Sequence, residues 1–418
     1  MYENEQNLRP ERAILCSVDT GEFDAEVSID ELEELAHTAG AEVVAKVIQA
    51  RPAPDAALFL GPGKLDEIKD LYQYQDIDVL IFDDELSPSQ QRNIEKYTDF
   101  KVIDRTTLIL DIFAQHAKSK EGKLQVELAQ LQYMLPRLGG QGAELSRLGG
   151  GIGTRGPGET KLESDRRHIH RRIDAIKRDL KDVEKRRNFQ RSRRKKDGVQ
   201  TVVIVGYTNA GKSTLMNYLT QAGVLAENKL FATLDPKSQA LTLPSGREVM
   251  LIDTVGLVRR LPHNLVEAFK STLEETASAD VILNVCDASD PCSAEHLKVT
   301  RDLLAELGAG DKPIVNVMNK CDLIYDLNDV PTIGNTVYIS ALRGNGINKL
   351  LEAVEDALPK DRERHTYLFP YDKLKEANLV REDGKVFSEE YVDSGLRIDV
   401  ECSIKTVNKL KEFINENN

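Results

Sequence analysis

The chain has 418 residues, with 56 Lys+Arg against 69 Asp+Glu and a formal net charge of −13. At about 100–200 residues per domain this is two to four domains, and 40% hydrophobic with 30% charged residues excludes global disorder. Its cysteines (Cys16, Cys286, Cys292, Cys321, Cys402) form no C-x-x-C pair, no apolar run approaches a membrane span, and the opening MYENEQNLRP does not read as a signal peptide. A cytosolic protein without a zinc or disulfide scaffold is therefore expected.

Residues 1–115 alternate apolar runs with amphipathic stretches. The runs at 13–18, 43–48, 78–82 and 100–104 predict strands. Helices are expected between them. Ser28 or Asp30 is a candidate cap for the first, where Leu32, Leu35 and Ala36 share a face; others run over 64–74 and 88–97. Alternation of this kind predicts a small parallel α/β subdomain. Gly61-Pro62-Gly63-Lys64 precedes a helix and is shorter than a full phosphate-binding loop, so a helix-start turn is favoured over a second phosphate site.

Residues 116–197 have a different rhythm. Leu124, Leu128, Leu131, Leu135 and Leu138 are spaced 4-3-4-3, as are Ile169, Ile173, Ile176, Leu180 and Val183. Each set predicts the narrow apolar seam of a coiled helix pair. Between them, residues 139–158 hold 9 glycines in 20 positions, which no helix survives. The expectation is a helical hairpin with a glycine-rich tip. Charge is concentrated here: residues 154–200 carry 17 Lys+Arg and 8 Asp+Glu, net +9, leaving −22 for the rest. A basic arm on an acidic body suggests a polyanionic partner, nucleic acid first.

From 198 to 360 the strand–helix alternation resumes, with strands expected at 201–206, 248–253, 280–287, 312–320 and 336–340. Helices are expected near 211–221, 264–277, 293–308 and 346–358. This predicts a doubly wound α/β domain. Residues 361–418 predict a small α+β domain of about three strands and two helices.

Gly206-Tyr207-Thr208-Asn209-Ala210-Gly211-Lys212-Ser213 fits G-x-x-x-x-G-K-[ST] between a strand and a helix, and Thr214 follows it. Backbone N–H groups of such a loop cradle phosphates at a helix N-terminus. Lys212 would reach the β- and γ-phosphates, and the Ser213 hydroxyl would bind Mg²⁺. Asp253-Thr254-Val255-Gly256 closes another strand, with Asp253 near the metal and the Gly256 N–H near the γ-phosphate. Asn319-Lys320-Cys321-Asp322 closes a third. Its aspartate offers two acceptors to the two N–H donors on guanine's edge, which adenine lacks. Ser340-Ala341-Leu342 would place a backbone N–H on the guanine carbonyl. Between the first two elements a threonine is required on Mg²⁺ and the γ-phosphate. Thr233, in Phe231-Ala232-Thr233-Leu234-Asp235, is the only threonine in 221–240. The set predicts a GTPase, with Lys212, Thr233, Asp253 and Gly256 nearest the chemistry.

The chain resembles the HflX-type ribosome-associated GTPases of the Obg-HflX superfamily. The resemblance spans nearly the whole chain and rests on GPGK (61–64), DRTTLILDIFAQHAKSKEGKLQVELAQLQYMLPRL (104–138) and LSRLGGGIGTRGPGETKLESDRR (145–167). It also rests on GYTNAGKSTL (206–215), FATLD (231–235) and DTVG (253–256). The resemblance implies a monomeric factor that binds GTP or GDP with Mg²⁺ and docks on the large (50S) ribosomal subunit. There its tip would meet rRNA, with Lys64 a further contact, and it would split stalled or idle ribosomes. A GTP-gated factor for assembling large subunits is the alternative, and a signalling GTPase acting on a protein a third. Localisation would be cytoplasmic, with a peripheral membrane-associated fraction.

Leu257 follows D-x-x-G where signalling GTPases carry a water-orienting glutamine, so slow intrinsic hydrolysis stimulated by the ribosome is expected. Asn209 is a candidate to hold K⁺ near the phosphates, against the simpler role of shaping the loop. Around the tip, Arg137, Arg147, Arg155 and Lys161 would meet phosphate and sugar, with few aromatics beyond Tyr133 and Phe189 for stacking. Arg191, Arg193, Arg194, Lys195 and Lys196 would add charge contacts, and His168 and His170 read as solvated helix residues.

Overall fold

The fold was read from a computed structural model, which describes residues 9–72, 76–140, 157–220, 230–231, 237–260, 275–306, 308–324, 334–359 and 362–414. Three sheets organise the chain.

The first contains β1 (Arg12–Asp19), β2 (Glu42–Ala50), β3 (Val79–Phe82) and β4 (Lys101–Asp104), all parallel in the order β2-β1-β3-β4. Successive side chains alternate faces. Ala13 and Leu15 of β1 therefore pack with α1 (Ala25–Ala39) and α4 (Arg105–His116), while Ile14 and Cys16 pack with α2 (Pro62–Tyr72) and α3 (Pro88–Thr98). Burial on both faces explains why the central strands β1 and β3 read as continuous apolar runs. The cap of α1 is neither Ser28 nor Asp30. It is Asp24, whose carboxylate accepts from the Glu26 and Val27 N–H groups at 3.1 Å. Ser28 lies buried within the helix and donates to Asp83 at 2.6 Å. Pro62 opens α2, and the Gly61 N–H donates to Gln49, so GPGK is a helix-start turn. Lys64 pairs with Glu67 on the same helix.

The hairpin arms are α5 (Lys120–Met134) and α6 (Pro157–Lys196). They are unequal, at 15 and 40 residues, and α6 extends about 60 Å at 1.5 Å per residue. Ile173 and Ile176 are buried in the seam, with Ile169, Leu180 and Val183 half-buried. On α5 the seam is shorter than its leucine spacing. Leu135 only caps the helix, and Leu138 falls in the following tight turn. Arg172 grips Glu127 through two bonds of 2.6 and 2.7 Å. Residues 141–156, which hold most of the glycine-rich tip with Arg147 and Arg155, lie outside the described residues, as does the Lys161 side chain.

The second sheet runs β10-β9-β8-β5-β7-β6, built from β5 (Gln200–Gly206), β6 (Lys237–Thr242), β7 (Glu248–Asp253), β8 (Val281–Asp287), β9 (Ile314–Asn319) and β10 (Thr336–Tyr338). All pairs are parallel except β6 with β7. Helices α7 (Lys212–Thr220) and α9 (Ile347–Ala357) cover one face, and α8 (Ser293–Glu306) the other. Strand β6, KSQALT, has too little apolar character to be read from sequence. Of the helix expected over 264–277, residues 264–274 lie outside the described residues.

The third sheet is antiparallel, β11 (Arg362–Phe369), β13 (Gly395–Ser403), β12 (Lys385–Val392), with α10 (Leu374–Asp383) and α11 (Ile404–Lys409). Leu396, Ile398, Val400 and Cys402 alternate into its core. Among the described residues, no helix is long and apolar enough to cross a membrane.

Candidate nucleotide site

The carboxyl ends of β5, β7 and β9 and the loop after β10 converge on one edge of the second sheet, where open α/β sheets bind ligands. Gly206–Ser213 passes from β5 into the first turn of α7. Gly211 has φ +89°, and a Cβ there would lie 2.2 Å from Asn319 Nδ2, so only glycine fits. Asn209 has φ +60°, a left-handed turn that asparagine tolerates, so its loop-shaping role is visible in the backbone.

Lys212 is only 6% exposed. Its amine donates to the carbonyls of Gly206 at 3.0 Å and Tyr207 at 2.6 Å. Burial pulls its pKa down to about 8, with the Asp253 carboxylate opposing the shift. Ser213 Oγ donates to Asp253 Oδ2 at 2.9 Å. A hydroxyl and a carboxylate at hydrogen-bond distance form a hard oxygen donor pair of the kind Mg²⁺ takes, so these residues fit that ion.

Asp253 ends β7, and the segment after it returns to the phosphate loop. The Thr208 N–H donates to Leu257 O at 2.8 Å, and the Leu257 N–H to Gly206 O at 3.1 Å. Gly256 is brought so close that a Cβ would meet Thr208 Cγ2 at 2.6 Å and Lys212 Nζ at 3.1 Å. The Leu257 side chain packs against Tyr207 and Leu303, where it can orient no water. Thr254 is buried and donates to Ile204 O; Val255 is buried in the core of the first sheet.

On the base side, Asn319 Nδ2 donates to Ala210 O and its Oδ1 accepts from the Ala341 N–H, both at 2.9 Å. This one side chain ties three sequence elements together. Lys320 is left-handed at φ +63° and pairs with Asp287 at 2.6 Å. The Ser340 hydroxyl holds the Asp322 carboxyl below the usual range, with Arg343 adding to the effect. Cys321 donates to Met318 O, and Leu342 is exposed. Thr214 lies half-buried in the first turn of α7. Phe231 is buried edge-to-face on Phe113, with centroids 4.6 Å apart. Ala232, Thr233, Leu234 and Asp235 lie outside the described residues.

Residues 26–114 match the family described as GTP-binding GTPase N-terminal, 116–194 the GTP-binding GTPase middle region, and 201–320 the 50S ribosome-binding GTPase. The GTPase HflX of Caldanaerobacter subterraneus subsp. tengcongensis is 53% identical over 97% of this chain and 94% of its own length. The chain belongs to the HflX GTPase family. The GTPase HflX of Lacrimispora saccharolytica is 50% identical over 93% of each chain. A crystal structure of SsGBP with GDP is 28% identical, covering 83% of this chain and 98% of its own, with a TM-score of 0.47. GTP binding and hydrolysis follow from the family and its GTPase domain.

Sequence reasoning missed a second layer in this HflX-family chain. The Tyr207 hydroxyl donates to Glu31 of α1 at 2.8 Å, and its ring stacks on His296 at 3.8 Å between centroids. Burial pushes the Glu31 carboxyl up in pKa, while Arg105 and Tyr207 oppose it. No local spacing carries this contact, which joins residues 176 positions apart.

The basic run of α6 also differs from expectation. Arg187 pairs with Glu121 at 2.8 Å, and Arg191 and Arg194 both reach the buried Glu275, at 2.8 and 3.5 Å. These arginines follow Val183 at spacings of 4, 4 and 3, continue the same face of the helix and turn toward the body. Arg193 pairs with Asp197 along α6. Arg137 is bonded to the carbonyls of Tyr133 and Leu86 and lies 3.4 Å from Asp104, which ties it to the first subdomain. Tyr133 is buried beneath it. By contrast Arg166, Arg167, Arg171, Lys177, Arg178, Lys181, Lys185 and Arg186 are exposed, as are His168, His170 and Phe189.

Proposed function

We propose that the chain is a GTP-gated factor of the large ribosomal subunit. In this reading Gly206–Thr214 cradles the phosphates, Ser213 and Thr233 with Asp253 hold Mg²⁺, and Asn319–Asp322 with Ser340–Leu342 read guanine. Phe231–Asp235 would be the first switch and Asp253–Gly256 the second. Mg²⁺ would supply charge neutralisation at the phosphates. The chain's own residues do the rest: Lys212 holds negative charge, Gly256 offers its N–H, and Asn319 fixes loop against loop. Leu257 itself offers no group to orient water or take its proton, so positioning and electrostatics carry the reaction and intrinsic turnover is slow. K⁺ beside Asn209 belongs to the same reading and is checked by comparing turnover in KCl and NaCl; equal rates remove it.

One observation carries the ribosomal part: a 40-residue helix that presents a row of unburied arginines and lysines from a chain otherwise acidic. Such a row suits phosphate backbone, with salt-sensitive binding. The chain would then act as a single protomer in the cytoplasm, splitting stalled or idle ribosomes. Sedimentation of mature ribosomes with protein and GTP, GDP or a non-hydrolysable analogue tests this. Dissociation into subunits with the analogue but not GDP is expected. Binding confined to incomplete subunits would favour the assembly role, and no ribosomal binding would contradict both.

A further inference from the structure

Tyr207 occupies the second position of the phosphate loop, where the motif G-x-x-x-x-G-K-[ST] accepts any residue. Its backbone nonetheless stands at the centre of the loop's bonding. The Tyr207 carbonyl accepts from the Lys212 amine at 2.6 Å and from the Ala210 N–H at 3.3 Å. A shift of the Tyr207 backbone would therefore carry with it the ammonium that is to meet the phosphates.

The Tyr207 side chain is buried, and α8 supplies the surface it lies on. His296 and Leu303 stand seven residues apart on that helix, two turns along one face. Leu303 packs against Tyr207 and Leu257. The His296 ring is flat on the Tyr207 ring, with centroids 3.8 Å apart and planes 9° from parallel. His296 is itself met at both ring nitrogens: Nδ1 lies 3.4 Å from Asp290, and Nε2 lies 3.5 Å from the Arg259 guanidinium. A guanidinium can only donate, so Nε2 accepts and Nδ1 carries the proton toward Asp290. This is the neutral ring. Burial and Arg259 hold its pKa below the usual histidine value, against the pull of Asp290. The turn that carries Asp290 is fixed in turn, since its carboxylate accepts the Cys292 N–H at 2.8 Å and its carbonyl the Ser293 N–H at 3.0 Å.

Filling space beside Tyr207 would ask only for an apolar side chain of the right volume. A planar ring met on both edges and laid parallel on a second ring also sets the orientation of that second ring. The ring in turn limits where its own backbone, and hence the carbonyl that holds Lys212, can stand.

We propose that His296 is a positioning residue for the phosphate loop: it holds Tyr207 by stacking and, through the Tyr207 carbonyl, presets the Lys212 amine for the phosphates. The inference rests on the nucleotide site proposed above. The β-phosphate is common to GDP and GTP, so a preset loop favours both to the same degree. Loss of the stack should weaken both nucleotides alike. It should raise KM with kcat unchanged, because slow chemistry makes KM report binding.

The test measures affinity of the full chain for GDP and for a non-hydrolysable GTP analogue, together with GTP turnover, in wild type, His296→Ala, His296→Leu and His296→Phe. The alanine and leucine variants should bind both nucleotides about fivefold more weakly, with KM raised to match and kcat within about twofold of wild type. Phenylalanine keeps the flat face and should restore affinity to within about twofold. It gives up only the ring-nitrogen contacts, whose partners keep others: Arg259 bonds Glu295 at 2.9 Å, and Asp290 still accepts from Cys292. Leucine and phenylalanine both fill the site, so a difference between them reports the flat face and not lost volume. A leucine variant that matches the phenylalanine one, a phenylalanine variant as weak as the alanine one, or a loss in kcat in place of KM overturns the proposal. Wild-type protein that binds neither nucleotide overturns the site itself, and the proposal with it.

Discussion

Lys212 sits buried against carbonyl oxygens with its pKa pulled down to about 8. Bound phosphates would hold its amine charged, so the complex carries more protons than the free protein above that pH. Affinity therefore falls as pH rises. GDP binding should be flat from about pH 6.5 to 8 and then weaken, by up to about tenfold per unit. Titration across roughly pH 7–9 checks this, and constant affinity would contradict it. Asp322 makes a sharper test. In the proposed site, Asp322→Asn would replace one acceptor by a donor, leaving a guanine N–H unpaired and matching the carbonyl that xanthine carries there. Guanine nucleotides should lose at least about a hundredfold in affinity and xanthosine nucleotides should gain, as read by competition binding. Asp322, Lys212 and Ser213 were legible in the sequence because each stands at a fixed offset from a strand end. Glu31 was not. It read as one more charge on an amphipathic helix, and its role depends on residues 176 and 228 positions away.

At the scale of elements, α6 shows how far a periodicity can be read. The 4-3 spacing located its seam, and apolar character set the range over which that seam was recognised. The seam in fact continues as Arg187, Arg191 and Arg194, since long arginine stems pack while their heads pair with Glu121 and Glu275. Charge counting could not separate these from the outward residues. The separation predicts two phenotypes. Neutralising Arg166, Arg171, Lys177 and Lys181 should weaken ribosome binding with stability unchanged. The salt slope of binding should fall by about one for each side chain that had met a phosphate. Arg191→Ala should leave Glu275 short of a partner and cost about 2 kcal/mol in urea unfolding. The same loss from both sets would erase the distinction. The central parallel strands β1, β3, β5 and β8 were legible because burial on both faces makes them almost uniformly apolar. The antiparallel edge strand β6 was not, because half-exposed KSQALT carries no such signal.

Across the whole molecule, the net charge of −13 conceals a division of labour. The basic helix faces outward along most of its length, and its base is clamped to the body by inward arginines. The two α/β layers share an apolar core through Phe231 and Val255 and a charged one through Arg105. Phe231 and the segment after Asp253 therefore adjoin the subdomain that leads into the hairpin, which gives an event at the hairpin a physical route to the proposed phosphate site. Leu257, packed against Tyr207 of the loop and against Leu303, is aliphatic and cannot orient water. The most direct measurement of this account is GTP turnover with and without purified large ribosomal subunits at fixed salt. Slow turnover by the free protein and strong stimulation by the subunit are predicted. Equal rates in the two conditions would contradict it.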